Sequence, residues 1–215
     1  MNVNNHKFKN KDMTSNEKEF NSFFAEFLQK LPRRTDKIIQ NTYEKSRIKA
    51  DKVLLKSRTS FDQVFDNFLT GVDREKAEKC HRIIHAASLS AAIVGCSPMP
   101  FSDAFLLVPI QLTMMARLHK LFGQSWSEHL GKNVSKELIV VGFGRSAVGN
   151  VLKFVPIVGT VSGAMVNASV AVSITEALGW VTVKMLNDGE DIFEQAMSFR
   201  GQFEIVFKAL RKAKK

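Results

Sequence analysis

Residues 154–179 read FVPIVGTVSGAMVNASVAVSITEALG, and this stretch restricts the fold most strongly. From Phe154 to Thr175 it carries no charge. Pro156 stands where a helix would begin, a position at which proline's missing N–H removes no bond. From Gly159 onward every fourth residue is small or polar: Gly159, Gly163, Asn167, Ala171, Thr175 and Gly179. In a helix that spacing forms one ridge. Val158, Val161, Met165, Val166, Val170, Val172 and Ile174 cover the other sides. A helix that is apolar nearly all round is buried in protein or in lipid. A ridge of small residues lets a second helix come close to its backbone.

The rest of the chain reads as helices around this one. Residues 1–13 are polar and rich in Asn and Lys, as a disordered tail would be. Thr14-x-x-Glu17 is a capping-box pattern, and Phe20, Phe23, Phe24, Phe27 and Leu31 follow at helical spacing until Pro32. Thr35–Lys56 has few apolar positions and predicts a solvated helix with one narrow contact line. Ser57–Ser60 predicts a break, and Ser60-x-x-Gln63 a second capping box before Phe61, Val64, Phe65, Phe68 and Leu69. Gly71 suits a helix C-terminus. Residues 14–72 therefore form an amphipathic helical extension ahead of a bundle domain at 73–215.

Asp73 predicts an N-cap, and charges persist to Arg82. Ile83 to Ser102 then carries no formal charge apart from a proton on His85. Pro98 and Pro100 end that helix and force a turn. Ser102 or Asp103 would cap the next helix, which runs to Gly123, with Pro109 inside it as a kink. Two helices joined by so short a turn pack as an antiparallel hairpin, with Ala86, Ala87, Ser90 and Ala91 as the small contact face. After a polar stretch at 124–134, an apolar segment with Gly142, Gly144 and Gly149 leads into the central helix. Asn187–Asp191 is a turn, and Ile192 to Leu210 has the pattern of a last amphipathic helix. No alternating strand pattern of useful length occurs. The fold class is all-α: a compact helical bundle built on the hairpin and the glycine-rich helix.

Thirty-one Lys and Arg against 21 Asp and Glu give a net charge of +10, which favours anionic partners. Cys80 and Cys96 fall more than four turns apart on one helix, beyond bridging distance, and predict buried free thiols. The first residues lack the apolar core of a secretory signal, so the expectation is a protein that is not secreted, cytoplasmic or at the inner membrane.

Residues 81–185 resemble a bacterial family of unknown function found downstream of Era-like small GTPase domains and in YcjF-type inner-membrane proteins. The resemblance rests on three blocks. The alanine-rich helix leads into Pro98-Met-Pro100-Phe-Ser-Asp103. Next come Pro109-Ile-Gln111-Leu-Thr-Met114-Met115, Arg117 and Gly123. The third block is Arg145, Phe154-Val-Pro156-Ile-Val-Gly159 and Thr175-Glu-Ala-Leu-Gly179. What the resemblance implies is a membrane-associated helical module linked to a GTPase.

Signs of chemistry are weak. Gly142-Phe-Gly144 imitates a dinucleotide fingerprint, but no acidic residue follows at the required distance and helix-packing glycines are the better reading. Gly144-x-x-x-x-Gly149 is followed by Asn150-Val151 in place of the P-loop's Lys-Ser/Thr, so no phosphate-gripping lysine is present. His81 and His85, with Cys80 and His119, have zinc-like types without the glutamate of a hydrolase motif. Asp103, as a charge at the tip of an apolar hairpin, is expected to cap its helix or to pair with Arg117 or Arg145. Arg33, Arg34, Lys45, Arg47, Lys49, Lys52, Lys56 and Arg58 form a basic stripe, interrupted by Glu44 and Asp51, which makes nucleic acid a poor fit. No catalytic set, cofactor or metal is expected.

The expected function is thus a non-enzymatic interaction or scaffold module with a protein partner, a small GTPase by resemblance, and an anionic membrane surface. Its Phe-rich helices at 15–31 and 191–212 would contact that partner or lipid. The alternative is a bundle that holds a small molecule or lipid in a pocket beside Gly159, Gly163 and Met114. Phe154–Thr175 is long enough to span a bilayer, and Ile83–Ser102 is marginal.

Overall fold

The computed structural model describes residues 13–97, 106–126 and 163–189, and no strand occurs among the described residues. Thr14 starts the first helix as its sequence predicts. Its hydroxyl accepts from the Glu17 amide at 3.3 Å, while the Glu17 carboxylate accepts from the Thr14 N–H at 2.9 Å. Helix α1 runs Ser15–Gln29 and closes on Lys30. Pro32 then stands immediately before α2, Arg33–Phe65, and its carbonyl accepts from the Asp36 amide.

The break expected at Ser57–Ser60 does not exist: α2 passes straight through it. The stretch contains neither Gly nor Pro. Ser and Thr inside a helix lose only a few tenths of a kcal/mol each relative to Ala, too little to stop a long helix that packs elsewhere. The chain turns instead at a short 3-10 helix, Asp66–Leu69, and at Gly71, whose φ of 81° is a conformation open mainly to glycine.

Asp73 caps α3, Arg74–Cys96, by accepting from the Lys76 amide at 3.0 Å. Helix α4 is Leu107–Leu121. Its N-cap residue is Leu106, without a side-chain cap bond, so the Ser102 or Asp103 cap is corrected. The expected kink is corrected as well. Pro109 lies in the first turn of α4, where a backbone N–H has no helical partner to lose. Gly123 follows α4 at φ 76°. Helix α5 is Gly163–Asn187, and its end carries the Lys184–Asp188 pair at 2.6 Å before Gly189 turns the chain. The expected helix over 192–210 lies outside the described residues.

Helix α3 packs against each of the other four helices, and α5 against α2, α3, α4 and the 3-10 turn. Helices α3 and α5 thus share the centre. Ala86, Ala87, Ser90 and Ala91 on α3 are all fully buried, as the small face predicts. Phe20, Phe23 and Phe27 are at most 2% exposed, and α1 lies on α3 and α4. The Phe-rich face of α1 is therefore part of this chain's own core, which corrects its assignment to a partner or to lipid. Burial of each such ring contributes about 2 kcal/mol.

The relation between α3 and α5 follows from two glycines. A side-chain carbon on Gly95 would stand 2.7 Å from Ala168 Cα, and one on Gly179 would stand 2.8 Å from Ile84 Cγ1 and 3.0 Å from Met114 Sδ. From Ile84 to Gly95 is eleven residues forward, and from Gly179 to Ala168 eleven back, so α3 and α5 are antiparallel in one register. Steps of four, three and four residues from either end give layers Ile84·Gly179, Ser88·Thr175, Ala91·Val172 and Gly95·Ala168. That is the seam spacing of helices packed nearly parallel to one another. Of the small ridge predicted on 159–179, Thr175 and Gly179 fall on this seam, whose other α5 positions are Ala168 and Val172.

Candidate functional site

The residues singled out from the sequence divide into two groups. Pro98, Pro100, Asp103, Arg145, Pro156 and Gly159 lie outside the described residues. Gln111, Arg117, Gly123, Gly163, Thr175 and Gly179 lie on or beside α4 and α5. Gln111 is buried on α4, Gly163 is the first residue of α5, and Gly179 receives Ile84 and Met114. The pocket expected beside Gly159, Gly163 and Met114 includes Gly159, which lies outside the described residues.

Among the described residues, Arg117 hydrogen-bonds several side chains. Its Nη1 donates to Glu19 Oε1 at 2.6 Å, its Nη2 to Glu26 Oε2 at 2.8 Å and to Ser22 Oγ at 3.1 Å, and its Nε to Glu26 Oε2 at 3.0 Å. The guanidinium also lies 5.2 Å from the Phe23 ring centre. Glu19, Ser22 and Glu26 fall at i, i+3 and i+7 on α1, so one face of that helix presents all three. Lys30 adds a second bridge between the helices, donating to Thr113 Oγ1 at 2.8 Å. Every nitrogen of Arg117 is thus engaged on α1, and the pairing expected with Asp103 lies outside the described residues. Burial pushes the Glu26 carboxyl up, but the hydrogen bonds from Arg117 and Lys30 together outweigh it and leave the carboxyl below its usual range.

His81 and His119 pack against tryptophan rings. His119 is buried on α4, and its Nδ1 donates to the Met115 carbonyl at 2.7 Å while its ring meets Trp126 edge-on. His81 meets the Trp180 ring edge-on at 4.6 Å, and the Trp180 indole N–H donates to Glu176 at 3.2 Å. Among the described residues there is no group of three or more His, Cys, Asp or Glu placed to hold a metal ion. Cys80 and Cys96 are free and buried on α3. Burial pushes the thiols up to about 12 and about 11, so both stay protonated at neutral pH.

Among the described residues, two core hydroxyls have no partner. Ser88 Oγ and Thr175 Oγ1 are fully buried without a hydrogen bond, and they belong to the same layer of the α3–α5 seam. Their neighbours Ser90, Ser97, Ser169 and Thr182 each donate to a carbonyl one turn back. Sequence reasoning placed Thr175 on the ridge but did not single out Ser88.

Among the described residues α5 is the one helix long and apolar enough to cross a membrane, over Ala164–Asn187, and most of it is buried inside the bundle. Residues 154–162 of the expected span Phe154–Thr175 lie outside the described residues.

The class defined by this geometry is an all-helical bundle with a small-residue, antiparallel helix pair at its centre. The chain belongs to the family described as "Domain of unknown function (DUF697)", whose sequence model matches residues 58–209. The match is wider than the 81–185 of the resemblance, and it leaves α1 and most of α2 ahead of it. Among curated proteins the chain is similar to magnetosome membrane protein 22 of Magnetospirillum gryphiswaldense, at 34% identity over 127 residues. The alignment covers 55% of this chain and spans 64% of the relative's length. No solved structure matches the chain.

Proposed function

We propose that the protein is a non-enzymatic helical module that attaches, as a folded bundle, to the surface of a membrane. The similarity to a protein named for the magnetosome membrane is the observation that carries membrane association. Docking rather than spanning is supported by the surroundings of α5. It is wrapped by α2, α3 and α4, and a helix so covered acts as the core helix of a bundle. Its protein partner would be a small GTPase, a class that only the family resemblance suggests.

The test is fractionation of cells that express the full chain. Recovery in the membrane pellet at low salt, with release by high salt or alkaline carbonate, is the expected result. Recovery in the soluble fraction at low salt would end the membrane reading. Retention through carbonate would replace docking with integral insertion. For the partner, a GTPase encoded beside this chain should bind it in its GTP-loaded state, and absence of binding in either nucleotide state would remove that class.

A further inference from the structure

The large apolar side chains exposed among the described residues are Ile38 at 42%, Ile48 at 60% and Leu55 at 74%, and all three lie on α2. They are not scattered. Arg34, Ile38, Asn41, Lys45, Ile48, Lys52 and Leu55 follow one another at alternating steps of four and three residues, and each is exposed. Such steps keep to one side of a helix, so the seven make one outward stripe about 30 Å long. Lys37 and Lys49 flank it, also exposed. The opposite side of α2 carries Ile39, Ser46, Ala50, Val53 and Leu54, all buried.

Basic charge outweighs acidic charge on this face. Arg34, Lys37, Lys45, Lys49 and Lys52 form no ion pair with any described residue. Of the acids in this part of α2, Asp51 is held by Arg47 and Asp36 accepts from Gln40, while Glu44, exposed one turn before Ile48, is the one beside the stripe. Arg47 itself turns inward, over the Phe20 ring at 4.4 Å.

We propose that this outward face of α2 is the surface by which the bundle lies on an anionic membrane, with the lysines among the phosphate headgroups and Ile38, Ile48 and Leu55 in the acyl boundary. The inference rests on the membrane reading above and names the surface responsible. A basic helical face interleaved with large aliphatic side chains has the composition of an interfacial helix. A second copy would bring the same five cations against these five, which opposes self-pairing. A nucleic acid would use the cations but leave the three aliphatic chains without a dry contact.

Flotation of the purified full chain with vesicles decides the matter, comparing phosphatidylcholine mixed with phosphatidylglycerol against phosphatidylcholine alone. Two variants accompany the wild type: Lys45→Glu, Lys49→Glu, Lys52→Glu together, and Ile48→Glu with Leu55→Glu. All five positions are exposed, so the circular dichroism melts should match the wild type. The wild type should float with the anionic vesicles only. The lysine variant should bind them about 100-fold more weakly or worse, at roughly fivefold per basic residue near an anionic surface. The aliphatic variant should lose at least about tenfold.

If the wild type floats and both variants float equally well, this face is not the docking surface, though the membrane reading stands. If the wild type does not float, both fall. A wild-type dimer on size exclusion that either variant converts to monomer would give the face to a second copy. Binding of a DNA duplex lost only in the lysine variant, with flotation unchanged, would give it to a nucleic acid. Either result overturns the proposal.

Discussion

Gly95 on α3 and Ala168 on α5 meet backbone to backbone: a carbon added at Gly95 would lie 2.7 Å from the Ala168 Cα and 2.9 Å from its nitrogen. Gly95→Ala must therefore push two helices apart, because the obstacle is main chain. The gain from replacing glycine in a helix is about 1 kcal/mol. Separating a packed seam costs about 1–3 kcal/mol or more and extends along neighbouring layers. Gly95→Ala is expected to lower the thermal midpoint.

Gly179→Ala should be better tolerated, since it meets side-chain atoms of Ile84 and Met114, and the methionine can swing aside. Its expected change is within about 1 kcal/mol. Thermal melts of both variants check the difference, and equal losses would mean that the close approach at Gly95 does not exist.

The unpartnered layer makes the opposite prediction. Thr175→Val replaces a buried, unbonded hydroxyl by a methyl of similar shape. It should stabilise the fold by about 1 kcal/mol, because an unsatisfied polar group in a core costs about that much. Ser88→Ala should act in the same direction but less, as it leaves a small void. Urea titration reads both. A destabilised Thr175→Val would mean that a partner, such as a buried water, satisfies the hydroxyl.

Arg117 ties α1 to α4, and its acids are partly exposed, at 27% for Glu19 and 39% for Glu26, so solvent screens the contact. Arg117→Ala should cost about 1 kcal/mol. The pH dependence has a fixed sign. Glu26 titrates lower in the folded chain than in the unfolded one, so its contribution is present above the ordinary carboxylate range and disappears as pH falls through its lowered folded value. Glu26→Gln should therefore reduce stability at neutral pH and flatten the acid limb of the stability profile. An unchanged acid limb would show that the clamp contributes nothing.

Cys80 and Cys96 should resist alkylation at pH 8 in the folded state and react at both sites in denaturant. Their buried thiols are held protonated, with values near 12 and 11. Mass spectrometry after iodoacetamide counts the adducts.

What could be foreseen, and what could not, follows from the range of each interaction. The Phe20, Phe23, Phe24 and Phe27 stripe and the caps at Thr14 and Asp73 are local patterns, and each was legible. Gly179 stood out because its ridge repeats every fourth residue. Gly95 sits in a run of small residues where nothing marks it as the tightest contact. The hinge expected at Ser57–Ser60 failed because Ser and Thr serve both caps and helix interiors. The partners of Arg117 lie 91 to 98 residues away, so no local rule could find them. The stripe on α2 was legible as basic, but not as an unpartnered face until its other side was seen to be buried.

The account turns on α5 remaining the core of a docked bundle, and Trp180 reports on it directly. This side chain is 3% exposed on α5, and Trp126 is the chain's other tryptophan. In a Trp126→Phe background, Trp180 fluorescence should be unchanged when the protein binds anionic vesicles with brominated acyl chains, even as it floats with them. Strong quenching by the brominated chains would put α5 in contact with lipid and contradict the account.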